Sequence, residues 1–230
     1  MARHLDRSEV ADIPMVWPVA GHVVLGRGRV SDFVNDTVVT PDGGRMERQY
    51  TLHPGAVGVI AWDDADRIAV VRQYRHPVGF QLTEPPAGLL DTDGETWLTA
   101  VQRELAEEAG LSAERWDVLV DLFTTPGANQ ESLRIYLARG LTETEAPDGF
   151  VADHEEADME VCWAARADLV DAVLAGQLQN PTMVAGVLAL EVARLSGRLD
   201  DLRGPEAPWP ARTVREAHNA ALADLDGHAG

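Results

Sequence analysis

The chain has 230 residues, 45% of them hydrophobic, which suffices for one domain with a sizeable core, with or without a small accessory portion. Asp and Glu number 38 against 19 Lys and Arg, and the formal net charge of −19 argues against nucleic-acid binding through a general basic surface. Cys162 is the one cysteine, so no disulfide can form within the chain. We see no secretory signal and no apolar run of about 18 residues, so we expect a cytoplasmic protein without a membrane partner.

Residues 1–53 are predicted to form a small antiparallel sheet ahead of the main domain. Residues 1–14 are polar, whereas the stretch that follows is rich in valine and punctuated by glycine. A turn at residues 41–44 separates the second predicted strand from the third. The three predicted strands span residues 19–25, 30–40 and 46–52.

Residues 54–197 are predicted to form the main domain, in which strands alternate with helices. We expect a hairpin around residues 63–66, and a nearly all-apolar, buried helix that begins after Pro181. This order of elements indicates an α/β or α+β fold. The predicted strands span residues 56–62, 68–74, 117–124, 133–138 and 159–163, and the predicted helices span residues 95–109, 167–175 and 182–195. Residues 198–230 turn polar, and within them residues 212–225 are either a further helix or part of a tail.

The most informative stretch is the helix predicted over residues 95–109. It contains neither glycine nor proline, and Gly110 stands where a left-handed C-cap would end it. Its apolar residues recur at steps of three and four, which places them on one face for the core. These residues are Leu98, Val101, Leu105 and Ala109.

Three glutamates lie close together on the same predicted helix. Glu104 and Glu108 are one turn apart, and Glu107 is a neighbour of Glu104 on the helical surface. Carboxylates this close repel one another, and a divalent cation such as Mg2+ would reverse that repulsion because hard cations take oxygen ligands. A solvated acidic helix face is the simpler alternative, and it would usually account for two adjacent glutamates taken alone.

The wider pattern around these glutamates resembles the Nudix box, G-x5-E-x7-R-E-U-x-E-E-x-G-U, in which U is apolar. Every fixed position from Glu95 to Leu111 is matched. Gly88 departs from the box, because six residues instead of five separate it from Glu95. Residues 84–91, EPPAGLLD, are similar to the E-x-P-A-G-x-x-D lead-in of the ADP-ribose pyrophosphatase branch of this family. This many matches at fixed spacing are a specific signal.

The resemblance implies a fold, an assembly and a metal site. The fold would be an α/β/α sandwich with a mixed sheet, and the N-terminal sheet would pack on the partner subunit of a homodimer. About two to three Mg2+ or Mn2+ ions would neutralise phosphate oxygens and lower the pKa of bound water. The implied metal ligands are the backbone carbonyl of Ala87 and the carboxylates of Glu104, Glu107 and Glu108. Arg103 is expected to orient these carboxylates through ion pairs, and Glu95 to hold the loop to the helix.

A general base has to come from outside the helix, because carboxylates bound to metal are poor bases. In the ADP-ribose pyrophosphatase branch that residues 84–91 resemble, a glutamate of the loop before the strand at residues 159–163 activates the water. Glu155 and Glu156 both occupy this place, and we favour Glu155. Membership of an ordinary acidic surface loop is the alternative for either residue.

The same resemblance implies residues that recognise the substrate. Those positions are Arg48 near the adenosine, Arg75 at the phosphate or ribose, Glu84 at the adenine amine, and Gly127 in a Thr-Pro-Gly turn similar to one in the ADP-ribose branch. For each arginine a surface ion pair is the alternative. For the segment around Gly127 the alternative is an ordinary proline turn.

The function that the resemblance implies is metal-dependent hydrolysis of ADP-ribose to AMP and ribose 5-phosphate. Two alternatives stay open: hydrolysis of another nucleoside diphosphate sugar, and a non-catalytic Nudix module that senses a nucleotide. Sensing modules commonly lose box carboxylates, whereas Glu104, Glu107 and Glu108 are all present. A DNA-binding regulator is disfavoured because residues 198–230 lack the basic charge and the length of a winged helix.

Overall fold

The computed structural model describes residues 2–92, 94–145 and 159–226. The chain divides into two compact units. One consists of the residues up to Leu52 together with those from Pro208 onward, and the other consists of His53–Ala207. The C-terminal helix therefore belongs to the same unit as the N-terminal strands. No helix in the described ranges is long and apolar enough to cross a membrane.

Within the described ranges the chain forms ten strands and four α-helices. The strands are β1 (Val19–Arg27), β2 (Asp32–Val39), β3 (Arg45–Leu52), β4 (Ala56–Ala61), β5 (Arg67–Arg75), β6 (Phe80–Glu84), β7 (Ala87–Leu89), β8 (Leu111–Phe123), β9 (Ser132–Glu143) and β10 (Glu160–Ala165). The helices are α1 (Trp97–Ala109), α2 (Arg166–Leu174), α3 (Pro181–Leu195) and α4 (Pro210–Asp226). The predicted mixture of strands and helices is confirmed, and residues 212–225 are helical instead of forming a tail.

The first unit is built on an antiparallel sheet in the order β1-β2-β3, with α4 packed against β1. The three strands agree with the predicted ones to within a few residues. Asp36, at the centre of β2, is buried and links both neighbouring strands. It pairs with His22 Nδ1 at 2.5 Å and accepts a hydrogen bond from the Tyr50 hydroxyl at 2.8 Å. These polar contacts satisfy a carboxylate that would be costly to bury alone.

The second unit contains two sheets. A four-stranded sheet in the order β7-β4-β9-β8 is mixed, because β4 and β9 run parallel and the other pairs run antiparallel. A three-stranded sheet in the order β10-β5-β6 is antiparallel. Helix α3 covers the face of β4 and β9 that carries Ile60 and Ile135, where Gly186 permits close contact. Helix α1 also packs against β4, which is buried almost throughout, as the sandwich architecture requires.

The prediction of a hairpin around residues 63–66 is wrong. The turn exists, but β4 and β5 enter different sheets, and only an isolated bridge between Trp62 and Ile68 joins them. Both strands are mostly buried, so each finds backbone partners elsewhere: β4 in β7 and β9, and β5 in β6 and β10. The short strands β6 and β7 were not predicted, because the alternation that starts at Phe80 and Leu82 is short and is followed directly by Pro85 and Pro86.

Candidate active site

Helix α1 is fixed at both ends and along one face. Thr96 caps its N-terminus by accepting a hydrogen bond from the Thr99 N–H at 3.1 Å. Gly110 ends the helix in the left-handed conformation with φ of 62°, as predicted. Val101 and Leu105, two of the predicted core residues, are fully buried. The directions in which the acidic residues of α1 project are therefore set by packing.

Arg103 is the centre of the charge network on α1. Its Nε and Nη2 donate to the two carboxylate oxygens of Glu95 at 3.0 and 3.1 Å. Its Nη1 donates to both Glu104 and Glu107 at 2.8 Å. The predicted roles of Arg103 and Glu95 are confirmed: one guanidinium ties the preceding loop to the helix and offsets the repulsion between two carboxylates.

The C-terminal half of α1 touches the backbone of β7. The N–H of Ala87 donates to Glu108 Oε2 at 2.8 Å. At Gly88 a Cβ atom would lie 1.9 Å from Glu104 Oε1, so only glycine allows this approach. Three of the four implied metal-ligand positions, Ala87, Glu104 and Glu108, are therefore brought together, although they are up to 21 residues apart.

The chemistry of this contact fits a hard divalent cation. Its donors are carboxylate oxygens beside a strand backbone, and the missing side chain of Gly88 keeps the two surfaces together. Burial raises the pKa of Glu104, and the neighbouring Arg103 opposes that shift. Across residues 2–92, 94–145 and 159–226, no three Asp, Glu, His or Cys side chains are already grouped as a metal cage. Arg103 and the Ala87 N–H satisfy the glutamates of α1 instead.

Two of the predicted substrate residues pair with each other. Glu84 is buried at the end of β6, and Arg75 lies at the end of the neighbouring strand β5. The Arg75 Nε and Nη2 donate to the two Glu84 oxygens at 3.0 and 2.7 Å. Gln73 Nε2 adds a bond to Glu84 at 3.2 Å. Sequence reasoning missed Gln73, although its position two residues before Arg75 on a strand places both on one face.

No contact among the described residues tests the roles of the other predicted site residues. Gly127 lies in an exposed turn where the N–H groups of residues 128 and 129 donate to the carbonyl of Thr125. Arg48 lies on β3 in the first unit, where its Nη1 donates to the carbonyl of Glu47 at 3.1 Å. Glu155 and Glu156 fall outside the described residues. The roles of these four residues stay predictions.

The NUDIX domain is matched over residues 52–185, which is more than half of the chain. The chain therefore belongs to the Nudix family, and the resemblance seen at residues 88–111 is confirmed. Hydrolases of this family generally need divalent metal ions.

Two relatives and one solved structure show which members of the family the chain is similar to. The chain is 46% identical over 166 residues to the ADP-ribose pyrophosphatase of Mycobacterium tuberculosis, a match that covers 72% of this chain and 79% of that protein. It is 38% identical over 126 residues to the methanol dehydrogenase activator of Bacillus methanolicus, covering 55% of this chain and 68% of the relative. A solved structure described as an ADP compounds hydrolase superposes with a TM-score of 0.67 at 19% identity, covering 82% of this chain and 100% of that chain. This structural likeness confirms the predicted fold.

Proposed function

We propose that this chain is a metal-dependent pyrophosphatase that hydrolyses ADP-ribose to AMP and ribose 5-phosphate. The contact between α1 and β7 carries the proposal, because it places Glu104 and Glu108 together against the backbone at Ala87 and Gly88. The similarity to the Mycobacterium tuberculosis ADP-ribose pyrophosphatase supports the choice of substrate. In the reaction, water adds to one phosphorus of the diphosphate, the bridging P–O bond breaks, and each product leaves with one phosphate.

The glutamates of α1 would hold the divalent ions, Mg2+ or Mn2+, about two to three of them, together with the carbonyl of Ala87. Bound ions neutralise phosphate charge and lower the pKa of the attacking water. Arg103 keeps Glu104 and Glu107 oriented toward one another, since a single nitrogen contacts both. This local arrangement is needed because the whole chain, at −19, repels an anionic substrate.

The pair formed by Arg75 and Glu84 would recognise the nucleotide. Arg75 keeps 40% of its side chain exposed and brings positive charge for a phosphate or ribose, while Glu84 holds the guanidinium in place. Glu84 is 3% exposed and would use a remaining lone pair for the adenine amine. Arg48 and Gly127 are the other proposed substrate-binding residues.

Glu155 is the proposed general base and Glu156 the alternative. Replacing each by glutamine in turn assigns the role, because the amide keeps the shape and cannot take a proton. We expect Glu155→Gln to lose turnover with little change in Mg2+ requirement. Loss of turnover in Glu156→Gln and not in Glu155→Gln would assign the role of general base to Glu156.

The experiment that tests the proposed function is product analysis on a panel of nucleoside diphosphate sugars with Mg2+, with and without a chelator. We expect AMP and ribose 5-phosphate from ADP-ribose, and no products once the chelator is added. Faster hydrolysis of another sugar nucleotide would make that compound, instead of ADP-ribose, the proposed substrate. Binding of a nucleotide without hydrolysis of any compound in the panel would favour the sensing module. The similarity to a relative named as an enzyme activator is the observation that keeps this alternative open.

We also propose that the protein is a homodimer assembled through its N-terminal sheet. The sheet presents apolar residues to solvent: Val23 is 55% exposed, Leu25 49% and Phe33 45%. Exposed apolar groups gathered on one face are typical of an interface. The cytoplasmic location stays a prediction from composition.

A further inference from the structure

A fully buried arginine lies beneath the start of α1. The Arg134 side chain, on β9, has 0% exposure. Its Nε and Nη2 donate to the two carboxylate oxygens of Asp121 on β8 at 2.7 and 3.0 Å, and its Nη1 donates to the carbonyl of Ala207 at 2.7 Å. Burial works to lower the pKa of Arg134, but its interactions with Asp121 and Tyr136 together outweigh burial and raise that pKa above the usual value. The charge is thus retained where an apolar side chain would avoid the desolvation cost.

The face of this guanidinium meets a ring of the acidic helix. The Arg134 guanidinium carbon lies 5.2 Å from the centroid of the Trp97 ring, within the range of a cation–π interaction. Trp97 is the first residue of α1 and follows Glu95, which holds Arg103, by two positions. Glu104 lies seven residues further on, about two turns along the helix. The contact between Arg134 and Trp97 therefore joins β9 to the end of α1 opposite its cap at Gly110.

The final segment of the same unit closes around Arg134. Arg203 Nη1 donates to Asp121 Oδ2 at 2.7 Å, and the Val118 N–H donates to the carbonyl of Arg203 at 2.8 Å. The Tyr136 hydroxyl donates to the carbonyl of Pro205 at 3.3 Å. Because Asp121 and the Ala207 carbonyl bind the guanidinium, and Arg203 in turn binds Asp121, Arg134 offers Trp97 a rigid surface.

We propose that Arg134 is a positioning residue. Through its contact with Trp97 it fixes the position of α1, and the position of α1 determines how tightly Glu104 and Glu108 bind a divalent cation. The inference rests on the proposed function in that it takes these glutamates as metal ligands. The contact at Gly88 explains why position matters: it has no room even for one Cβ atom beside Glu104. A small tilt of α1 either presses this contact or opens it, and in both cases moves the carboxylates relative to β7.

A second buried arginine provides a matched control. Arg166, in α2, has a side chain 9% exposed and makes the same paired bonds, to Asp66 at 2.8 and 2.9 Å. It also donates to Glu191 of α3 at 2.5 Å. These partners belong to the turn after β4 and to α3, not to α1. A lysine at either arginine keeps the charge and loses the two-pronged geometry.

The test measures Mn2+ binding directly, from the paramagnetic resonance signal of free Mn2+, in the wild type and in the Arg134→Lys, Trp97→Leu, double and Arg166→Lys variants. The binding counted is that which Glu108→Gln abolishes. We expect Arg134→Lys and Trp97→Leu each to raise the Mn2+ dissociation constant by about three- to tenfold, at or below the usual effect of losing a direct outer-shell partner. The double variant should bind Mn2+ no more weakly than the weaker single variant, because each single change already removes the contact between Arg134 and Trp97. Arg166→Lys should lower the melting temperature without changing Mn2+ affinity.

Wild-type Mn2+ affinity in both single variants, equal weakening in Arg166→Lys, or additive effects in the double variant would overturn the inference. Trp97→Leu alone decides the matter if Arg134→Lys fails to fold, since it leaves no buried charge without its carboxylate. A wild type that binds Mn2+ at this site but does not hydrolyse ADP-ribose would end the proposed function and leave this inference standing. A wild type that binds no Mn2+ would end both.

Discussion

At the scale of single residues, the site depends on how closely a helix carboxylate approaches a strand backbone. Gly88 has no side chain, and the space a Cβ would need is filled by Glu104. Arg103 shares one nitrogen between Glu104 and Glu107, which offsets the repulsion between two partly buried carboxylates. Close packing and charge compensation therefore act on the same glutamate.

Gly88→Ala should damage both packing and metal binding. The added methyl group would force Glu104 or β7 to move, and overpacking of this kind costs about 1–3 kcal/mol of unfolding free energy. Urea denaturation checks the stability and Mn2+ titration checks the site. Gly204→Ala is the control, because a Cβ there meets nothing within 4 Å. An alanine at Gly88 that binds Mn2+ like the wild type would show that the approach is not critical.

Sequence reasoning nominated Ala87, Glu104 and Glu108 as metal ligands because a spacing pattern is visible without coordinates, and the structure shows that the three lie close together. It nominated Arg75 and Glu84 singly and could not show that they pair, since the pairing follows from the register of β5 with β6. Arg134 gave no signal at all. Its burial depends on which way β9 faces and on chain segments more than 70 residues away, such as the carbonyl of Ala207.

At the scale of elements, α1 was predictable because its periodicity and its C-terminal cap are local properties. Its observed start, at Trp97, is two residues later than expected, since Thr96 takes the N-cap position and leaves Glu95 in the loop to meet Arg103. Strands β8 and β9 are longer than predicted: their outer ends are polar, so they give no strand signal, and they are held by pairing with each other. Pairing between strands depends on the tertiary structure, so it cannot be predicted from the sequence of one strand.

The cap of α1 gives a prediction at this scale. Gly110→Ala should destabilise the protein by about 1–2 kcal/mol, because φ of 62° is unfavourable for a residue with a Cβ. Gly110→Asn should lose less, since asparagine tolerates the left-handed region better. Chemical denaturation of the three proteins under identical conditions checks the order. Equal stability of the alanine and asparagine variants would contradict the argument from backbone conformation.

At the scale of the whole molecule, the chain joins residues far apart in sequence into one unit, with α4 beside the N-terminal strands. If the exposed face of that sheet is the dimer interface, Leu25→Glu should place a charge in it and yield monomers. Light scattering measures the mass directly. A wild-type protein that is already monomeric at micromolar concentration, or a dimer that survives Leu25→Glu, would contradict this assignment.

The central claim is that the turn of α1 bearing Glu104 and Glu108 holds the divalent cation on which hydrolysis depends. The most direct measurement is Mn2+ binding and ADP-ribose turnover in Glu108→Gln, beside Glu143→Gln as an exposed acidic control. The amide oxygen can still accept the bond from the Ala87 N–H, so the fold should persist. We expect Glu108→Gln to lose Mn2+ binding and nearly all turnover while Glu143→Gln keeps both. Full binding and turnover in a folded Glu108→Gln protein would contradict the claim.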